Sequence, residues 1–437
     1  MVDDSRSDRS GGDRPQAFAL LDESNDAATR LEGVEALGTP SSSMAGSERR
    51  IADRLLRVAL TDDDATVRAE AIDALYFHGD RYIEELVSRV AAAVRRRDGG
   101  DDPEAVFARW LTSGHAAYRM VGATGLGAVA DAEMRGASNA VGATAAASSD
   151  ATDAPNATNR LRNAFDDDDA RVRARAVRSY ASLGGEAIAP VRSLLRAPNA
   201  LVRHAAVDAL VSIGTPEATD LLEVAARDGS DRLRETVVER LHELDRPESA
   251  GILLDALRDP SLAVRRAAAA SLARLVAEGD AVRGREVRER LVADHSPRSD
   301  GGGAVVRLFH EVASGDRSDR VTAATERHAM WLCCELIDAA DGDADRPTVS
   351  RLLDALAHDD PYVADIAAAY LPRLDAPDLE REVRALAGDP ESDPDARERA
   401  RSVLRRLKRQ TAASAADRSI DYVFVRRPAD YTEKQEE

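Results

Sequence analysis

The chain has 437 residues and a net charge of −19, which argues against sequence-independent binding to phosphate backbones or anionic membrane surfaces. Only 4% of the residues are aromatic, so alanine, leucine and valine must fill the core, and this composition favours closely packed helices. Cys333 and Cys334 are adjacent and are the only cysteines, which excludes a disulfide framework and a cysteine-based zinc site.

The basic residues are unusual, because Lys408 and Lys434 are the only lysines and all the others are arginine. Few lysines, many aspartates and a large negative charge resemble the soluble proteins of halophilic archaea, whose cytoplasm holds molar salt. The first residues lack an apolar signal-peptide core, and no stretch has about 18 consecutive uncharged apolar residues. We therefore predict a cytoplasmic protein that does not insert into a membrane.

The amino-terminal part divides into three segments. Residues 1–15 predict a disordered polar tail, and residues 16–130 predict a helical block. The segment GATGLGAVA at 122–130 loosely resembles a dinucleotide-binding loop, but no strand precedes it, so we interpret it as a helix contact made by small residues. Residues 131–159 are rich in alanine, serine and threonine, and predict a linker that is either a long surface loop or a hinge.

Residues 160–294 carry a regular repeat. The segment VRARAVRSYASLG and three similar segments begin 30 or 31 residues apart, at Val172, Val202, Leu233 and Val264. Apolar residues at the first, fifth and ninth positions of each segment lie on one face of a helix. Weaker copies of the pattern begin at four further positions, Val67, Tyr118, Val363 and Ala396.

Each repeat predicts a helical hairpin. The first helix is expected to stop at Gly184, Gly214 or Asp245, and a second amphipathic helix follows, entered in two repeats through Pro216 and Pro247. Neither helix can bury its apolar face alone, so the hairpins are expected to stack, in roughly eight or nine units.

The carboxyl-terminal part changes character twice. After a break near 294–303, residues 304–408 predict degenerate repeats, and residues 409–437 predict a tail. Residues 420–425 of the tail form an apolar, β-prone hexapeptide that includes Tyr422 and Phe424. Two outcomes stay open: the hexapeptide packs on the last helices, or it binds a partner as an added strand.

The segment LRDPSLAVRRAAAASLARL, with Asp259, Pro260, Val264, Arg265 and Leu272, resembles the HEAT repeat of the type named after phycobilisome lyases. The resemblance extends over most of residues 50–408. It implies an all-α fold, a right-handed HEAT-like α-α superhelix or solenoid, with a flexible insert and flexible tails. It says little about function, because such solenoids serve as scaffolds, adaptors, lyases and DNA repair enzymes.

The stretch DDDDARVRARAVRSYASLG at 166–184 combines four carboxylates with four arginines. Residues 166–169 are expected to cap a helix. One arginine recurs in the template, and we predict a structural ladder in which it pairs with turn aspartates or carbonyls of the adjacent repeat. The members of the ladder are Arg173, Arg203, Arg234 and Arg265, with further copies at Arg68, Arg119 and Arg397. Arg171, Arg175 and Arg178 are expected to face outward into solvent.

The resemblance implies that the second helices line the concave face, where a partner would bind. The aligned positions there are Arg192, Asp220 and Glu223, together with the arginine row Arg196, Arg227 and Arg258. Tyr422 and Phe424 of the tail complete the predicted partner-binding residues. Two interpretations of these charges stay open, namely contacts with a partner and ordinary solvated side chains.

The sequence contains no phosphate-binding loop, no H-E-x-x-H and no G-x-S-x-G, so we predict no catalytic residue, cofactor or metal. The favoured function is a non-enzymatic scaffold for cytoplasmic proteins, without nucleic-acid binding. The alternative is a HEAT-like enzyme. A bilin-lyase-like enzyme needs a reactive acid or histidine beside aromatic residues, and a DNA-glycosylase-like enzyme needs a basic groove.

Among haloarchaeal proteins, the chain resembles the HEAT-repeat taxis proteins. This resemblance implies chemotaxis proteins and flagellar accessory proteins as partners. It also implies a role in passing signals from chemotaxis proteins to the archaeal flagellar motor.

Overall fold

The computed structural model describes residues 14–38, 48–96, 102–140, 154–186, 188–295, 302–315, 321–339 and 344–415. These ranges are mainly helical and contain no β-strand, which confirms the all-α prediction. The chain divides into two compact units, Met1–Ile213 (unit 1) and Gly214–Glu437 (unit 2). No helix in the described ranges is both long enough and apolar enough to cross a bilayer.

The helices described in unit 1 are α1 (Arg14–Leu20), α2 (Ala27–Gly38), α3 (Glu48–Thr61), α4 (Ala65–His78), α5 (Asp80–Arg95), α6 (Pro103–Trp110), α7 (Ala116–Ala140), α8 (Ala154–Asn163), α9 (Ala170–Ser182), α10 (Ile188–Leu194) and α11 (Ala200–Ile213). Those described in unit 2 are α12 (Pro216–Asp228), α13 (Asp231–Arg240), α14 (Pro247–Ala256), α15 (Leu262–Glu278), α16 (Gly284–Asp294), α17 (Gly302–Ser314), α18 (Ala323–Asp338), α19 (Arg346–Asp354), α20 (Pro361–Tyr370), α21 (Leu379–Gly388) and α22 (Pro394–Ala415).

The first helices of successive hairpins pack on one another within each unit. In unit 1 the order is α2, α4, α7, α9 and α11, and in unit 2 it is α13, α15, α18, α20 and α22. The apolar template positions are buried, for example Val172, Ala176 and Tyr180 of α9. Each buried valine or leucine stabilises the stack by about 1.5–3 kcal/mol, so the repeat pattern supplies the core.

The helix ends use the residues that the pattern indicates. Asp169 caps α9, and its carboxylate accepts hydrogen bonds from the backbone N–H groups of Arg171 (2.7 Å) and Val172 (3.4 Å). Gly184 and Gly214 follow first helices with φ angles of 72° and 59°, in the left-handed region that favours glycine.

Asp245 ends its repeat's first helix differently. Its carboxylate accepts hydrogen bonds from the backbone N–H groups of Asp280 (2.6 Å), Ala281 (2.7 Å) and Val282 (3.1 Å). These three residues lie in the loop between α15 and α16. The aspartate therefore joins one hairpin to the loop of the next, a contact that the repeat pattern does not reveal.

Small residues of α7 allow close helix contacts, as the segment at 122–130 predicts. A methyl group at Gly122 would lie 2.6 Å from the backbone nitrogen of Leu111, and one at Gly125 would lie 2.3 Å from the ring of Phe107. On the other side, a methyl group at Gly127 would lie 2.6 Å from the hydroxyl of Ser179 in α9. Glycine is required here because α6 and α9 approach the α7 backbone from two directions.

The close packing around α7 explains why the outward orientation expected for Arg171 and Arg175 is wrong, whereas the Arg178 side chain is 37% exposed. Arg171 Nη1 lies 2.9 Å from Asp73 Oδ1 of α4, and the buried Arg175 pairs with Asp80 of α5. Arg178 Nε lies 3.1 Å from Asp208 Oδ2 of α11. Because α7 carries small side chains, Arg171 and Arg175 of α9 reach helices of an earlier hairpin.

Several helices cross the predicted segment boundaries. Helix α1 begins at Arg14, inside the predicted tail, and α7 and α8 together extend into both ends of the predicted 131–159 linker. Helix α22 continues to Ala415, inside the predicted 409–437 tail. Alanine favours helix and is abundant where α7, α8 and α22 cross these boundaries, so composition alone does not locate them. The compact units meet in sequence between Ile213 and Gly214, within the predicted regular block.

Candidate partner-binding surface

One group of template arginines joins neighbouring hairpins. Arg234 Nε and Nη2 donate to Asp259 Oδ2 (2.7 Å) and Oδ1 (2.9 Å), in the turn before the next first helix. Arg119 binds Asp167 in the same bidentate way, at 2.8 and 2.9 Å. Each arginine also donates to a carbonyl of its own preceding turn. These contacts agree with the predicted ladder.

Arg30 of α2 belongs to the same group, although it precedes the first copy of the repeat pattern at Val67. Its guanidinium is buried and binds Asp62 through Nε (2.8 Å) and Nη2 (2.9 Å). Asp62, Asp167 and Asp259 all stand two residues before a helix N-cap. An aspartate at that position is common to all three of these contacts.

The predicted contact with an adjacent repeat is wrong for three ladder members. Arg173 donates to the carbonyls of Asp167 and Asp168, within its own turn. The corresponding position in the next turn is Ala197, so no carboxylate is available there. Arg203 and Arg265 likewise donate only to carbonyls of their own turns, Ala197 and Pro198 for the first and Asp259 and Pro260 for the second.

The second helices α12, α14 and α16 of unit 2 pack side by side, and α12 carries most of the positions predicted in that unit. Asp220, Glu223 and Arg227 are exposed on α12, and Glu223 Oε1 lies 3.4 Å from Arg227 Nη1. Val224 is 45% exposed between them. Glu217 and Asp228 are also exposed, so the α12 surface offers four carboxylates and one guanidinium around Val224.

The other predicted positions contribute less to this surface. Arg258 is exposed, but it donates to the backbone carbonyl of Asp294 at the end of α16. Arg192 and Arg196 are exposed on α10 and in the turn after it, in unit 1. Tyr422 and Phe424 lie outside the described residues. The structure thus brings together Asp220, Glu223 and Arg227, which define the candidate surface.

A lyase-like enzyme needs an acid beside aromatic residues, and Glu335 has such neighbours. Its Oε1 accepts hydrogen bonds from Trp331 Nε1 (3.1 Å) and from the Tyr370 hydroxyl (2.5 Å), and its Oε2 accepts one from Arg288 Nε (2.5 Å). Burial raises the pKa of Tyr370 above its usual range, which keeps the hydroxyl a donor. Both carboxylate oxygens therefore hold α16, α18 and α20 together.

A serine and a histidine also meet in unit 2. His242 Nδ1 lies 3.3 Å from Ser271 Oγ and 2.8 Å from the carbonyl oxygen of Glu239. Since a carbonyl only accepts, Nδ1 carries the proton and cannot take one from Ser271. Ser271 is 2% exposed, so the pair serves helix packing. Across the described ranges, no group of three or more candidate ligands is arranged to hold a metal ion.

Buried histidines make the stability of unit 2 depend on pH. Burial lowers the pKa of His295 below 6.5, and Arg258 lowers it further, against weaker opposing effects of Asp294 and Asp255. His242, His310 and His328 are shifted in the same direction by burial. The unfolded chain therefore binds more protons than the folded chain below about pH 6.5.

We expect the free energy of unfolding of unit 2 to be highest above pH 6.5 and to fall as the pH decreases below that value. In the native chain, His295 Nε2 donates to the carbonyl oxygen of Leu254 at 2.9 Å. His295→Gln keeps a donor for this carbonyl but removes the group that titrates. As the pH falls below 6.5, the free energy of unfolding of this variant should decrease by up to about 1.4 kcal/mol per pH unit less than that of the unmodified chain. Urea unfolding at several pH values measures this slope. The exposed His204→Gln is the control, and an equal change in both variants would contradict the assignment.

Residues 158–241 match the family model of HEAT repeats. This match spans the most regular hairpins and supports the predicted HEAT-like class, which the described helices confirm. A search of curated protein sequences found no match.

Several solved structures are similar in fold at low sequence identity. An engineered protein is 20% identical with a TM-score of 0.42, covering 91% of this chain and 99% of that chain. YibA of Escherichia coli is 17% identical with a TM-score of 0.39, covering 76% and 98%. The complex of CpcE and CpcF of phycocyanin lyase from Nostoc sp. PCC7120 is 17% identical with a TM-score of 0.31, covering 71% and 97%.

Proposed function

We propose that this chain is a non-enzymatic scaffold that binds a partner protein through the α12 surface of unit 2. The observation that carries this proposal is the exposed set of Asp220, Glu223 and Arg227 around Val224. An apolar side chain surrounded by charges has the composition of a small protein-binding patch, in which the charges select the partner. A partner with a basic surface around an apolar contact fits it best.

Two further observations support a scaffold. The acid beside aromatic residues, Glu335, has both oxygens occupied by donors from its own unit. The α12 surface carries four carboxylates, so DNA laid against it would bring phosphates towards like charges. The first point weakens a lyase-like function and the second weakens a glycosylase-like function at this surface.

The double substitution Asp220→Lys, Glu223→Lys should weaken binding of the partner at least about tenfold, because reversed charges at a protein interface repel the matching groups. The partner is first captured from cells of the source organism with the full chain as bait and identified by mass spectrometry. Its affinity is then measured by calorimetry. Glu235→Lys, Glu239→Lys on the first helix α13 makes the same charge change elsewhere and is the control. Absence of a stoichiometric partner, or equal weakening by the control, would contradict the proposal.

The finer proposal is a cytoplasmic role in taxis in a halophilic archaeon, with chemotaxis and flagellar accessory proteins as partners. It is supported by the sequence resemblance and by the acidic, lysine-poor composition. The same capture experiment tests it when carried out in molar KCl. Recovery of partners unrelated to chemotaxis or motility would refute the taxis role and leave the scaffold proposal standing.

A further inference from the structure

The last described helix of unit 2, α22, is strongly basic in a chain whose net charge is −19. Residues 399–409 of α22 contain no carboxylate and six cations, Arg399, Arg401, Arg405, Arg406, Lys408 and Arg409. Several exposed arginines on other helices of unit 2 pair with carboxylates, as Arg266 does with Glu311, at 3.0 Å. The basic segment of α22 differs in gathering six cations within eleven residues that include no carboxylate.

The cations of α22 differ in how far the protein neutralises them. Arg399 is held by Asp365 (3.2 Å), and Arg401 and Arg405 both lie 3.3 Å from Glu398. The next three cations along the helix form no ion pair with a carboxylate in the described ranges. They are Arg406, Lys408 and Arg409. Arg405 is 61% exposed. We call Arg405, Arg406, Lys408 and Arg409 the basic end of α22.

Packing within unit 2 does not account for the basic end. Val403 is the last residue of α22 that the structure describes as buried, and Lys408 and Arg409 are exposed. The helix continues to Ala415, so these cations precede its last turn. Their interaction with the helix dipole is weak there, since that effect falls off within the last turn.

We propose that the basic end of α22 binds an acidic segment of a partner protein. The four cations lie within about 6 Å along the helix axis, which matches a short run of carboxylates. Glu398 and Asp365 are 61% and 65% exposed beside them. A nucleic-acid duplex carries a charge every 1.7 Å or so and extends well beyond the basic end, so it would meet both carboxylates. This surface is separate from the acidic α12 surface and would take a partner of opposite charge.

The test uses the full chain and a fluorescein-labelled peptide of twelve glutamates as probe, in about 50 mM salt, with binding measured by fluorescence anisotropy. The triple variant Arg406→Gln, Lys408→Gln, Arg409→Gln should bind the peptide about tenfold more weakly and with a smaller salt dependence. Glutamine is a good helix former, so α22 is retained, and circular dichroism checks this. The control Arg266→Gln, Arg346→Gln, Arg384→Gln makes the same charge change elsewhere in unit 2, away from the α12 surface, and should bind like the unmodified chain.

Three results would overturn the proposal. They are equal weakening in the control variant, no saturable binding of the peptide, and tighter binding of a duplex DNA than of the peptide. None of them bears on the α12 surface, because the probe is acidic and that surface is acidic too.

Discussion

Asp259→Ala should lower the free energy of unfolding by about 3 kcal/mol. The side chain of Asp259 is 8% exposed, and it binds Arg234, which is 11% exposed. It also accepts a hydrogen bond from the backbone N–H of Ser261 at 2.7 Å. Removing the carboxylate leaves a nearly buried guanidinium without its partner and opens the N-terminal turn of α15.

Urea unfolding of the full chain measures this loss, and Asp228→Ala is the matched control. Asp228 occupies the same position before α13, but its side chain is 67% exposed and lies 3.7 Å from Arg227. We expect the control to cost less than about 0.5 kcal/mol. The double variant Arg234→Met, Asp259→Leu should recover most of the stability, because an apolar pair can replace a buried ion pair. If both single variants cost the same, the ladder contact is not stabilising.

Gly122→Ala should destabilise unit 1 by about 2 kcal/mol, although alanine is the better helix former by about 1 kcal/mol. The added methyl group would lie 2.6 Å from the backbone nitrogen of Leu111 and 2.8 Å from the backbone oxygen of Phe107. Backbone atoms cannot rotate away as a side chain can, so α6 and α7 must separate.

Thermal unfolding followed by circular dichroism checks the expected loss. The control is Gly303→Ala in α17, where no heavy atom lies within 4 Å of the new methyl group. That variant should be unchanged or slightly stabilised, because only the helix propensity changes. A stabilising effect at Gly122 as well would show that α6 does not approach α7 as closely as described.

Much of the fold follows from local sequence patterns. The spacing of Val172, Val202, Leu233 and Val264 predicted the stacked first helices, because a period near 3.6 places apolar residues on one helical face. The glycines of α7 predicted a close contact for a similarly local reason. The candidate site was predicted in part. Asp220, Glu223 and Arg227 do lie together on α12, whereas Arg258 contacts its own unit.

Pairings between distant residues were decided only by the tertiary structure. Arg171 meets Asp73 and Arg175 meets Asp80 across more than ninety residues, and no repeat spacing encodes these contacts. The repeat also made all template arginines look equivalent. Arg234 reaches the next hairpin because Asp259 stands there, whereas Arg173 finds Ala197 and stays within its own turn. The sequence by itself determined the helices and their buried faces, since periodicity is local, and packing decided which charges meet, since that depends on how closely the helices approach.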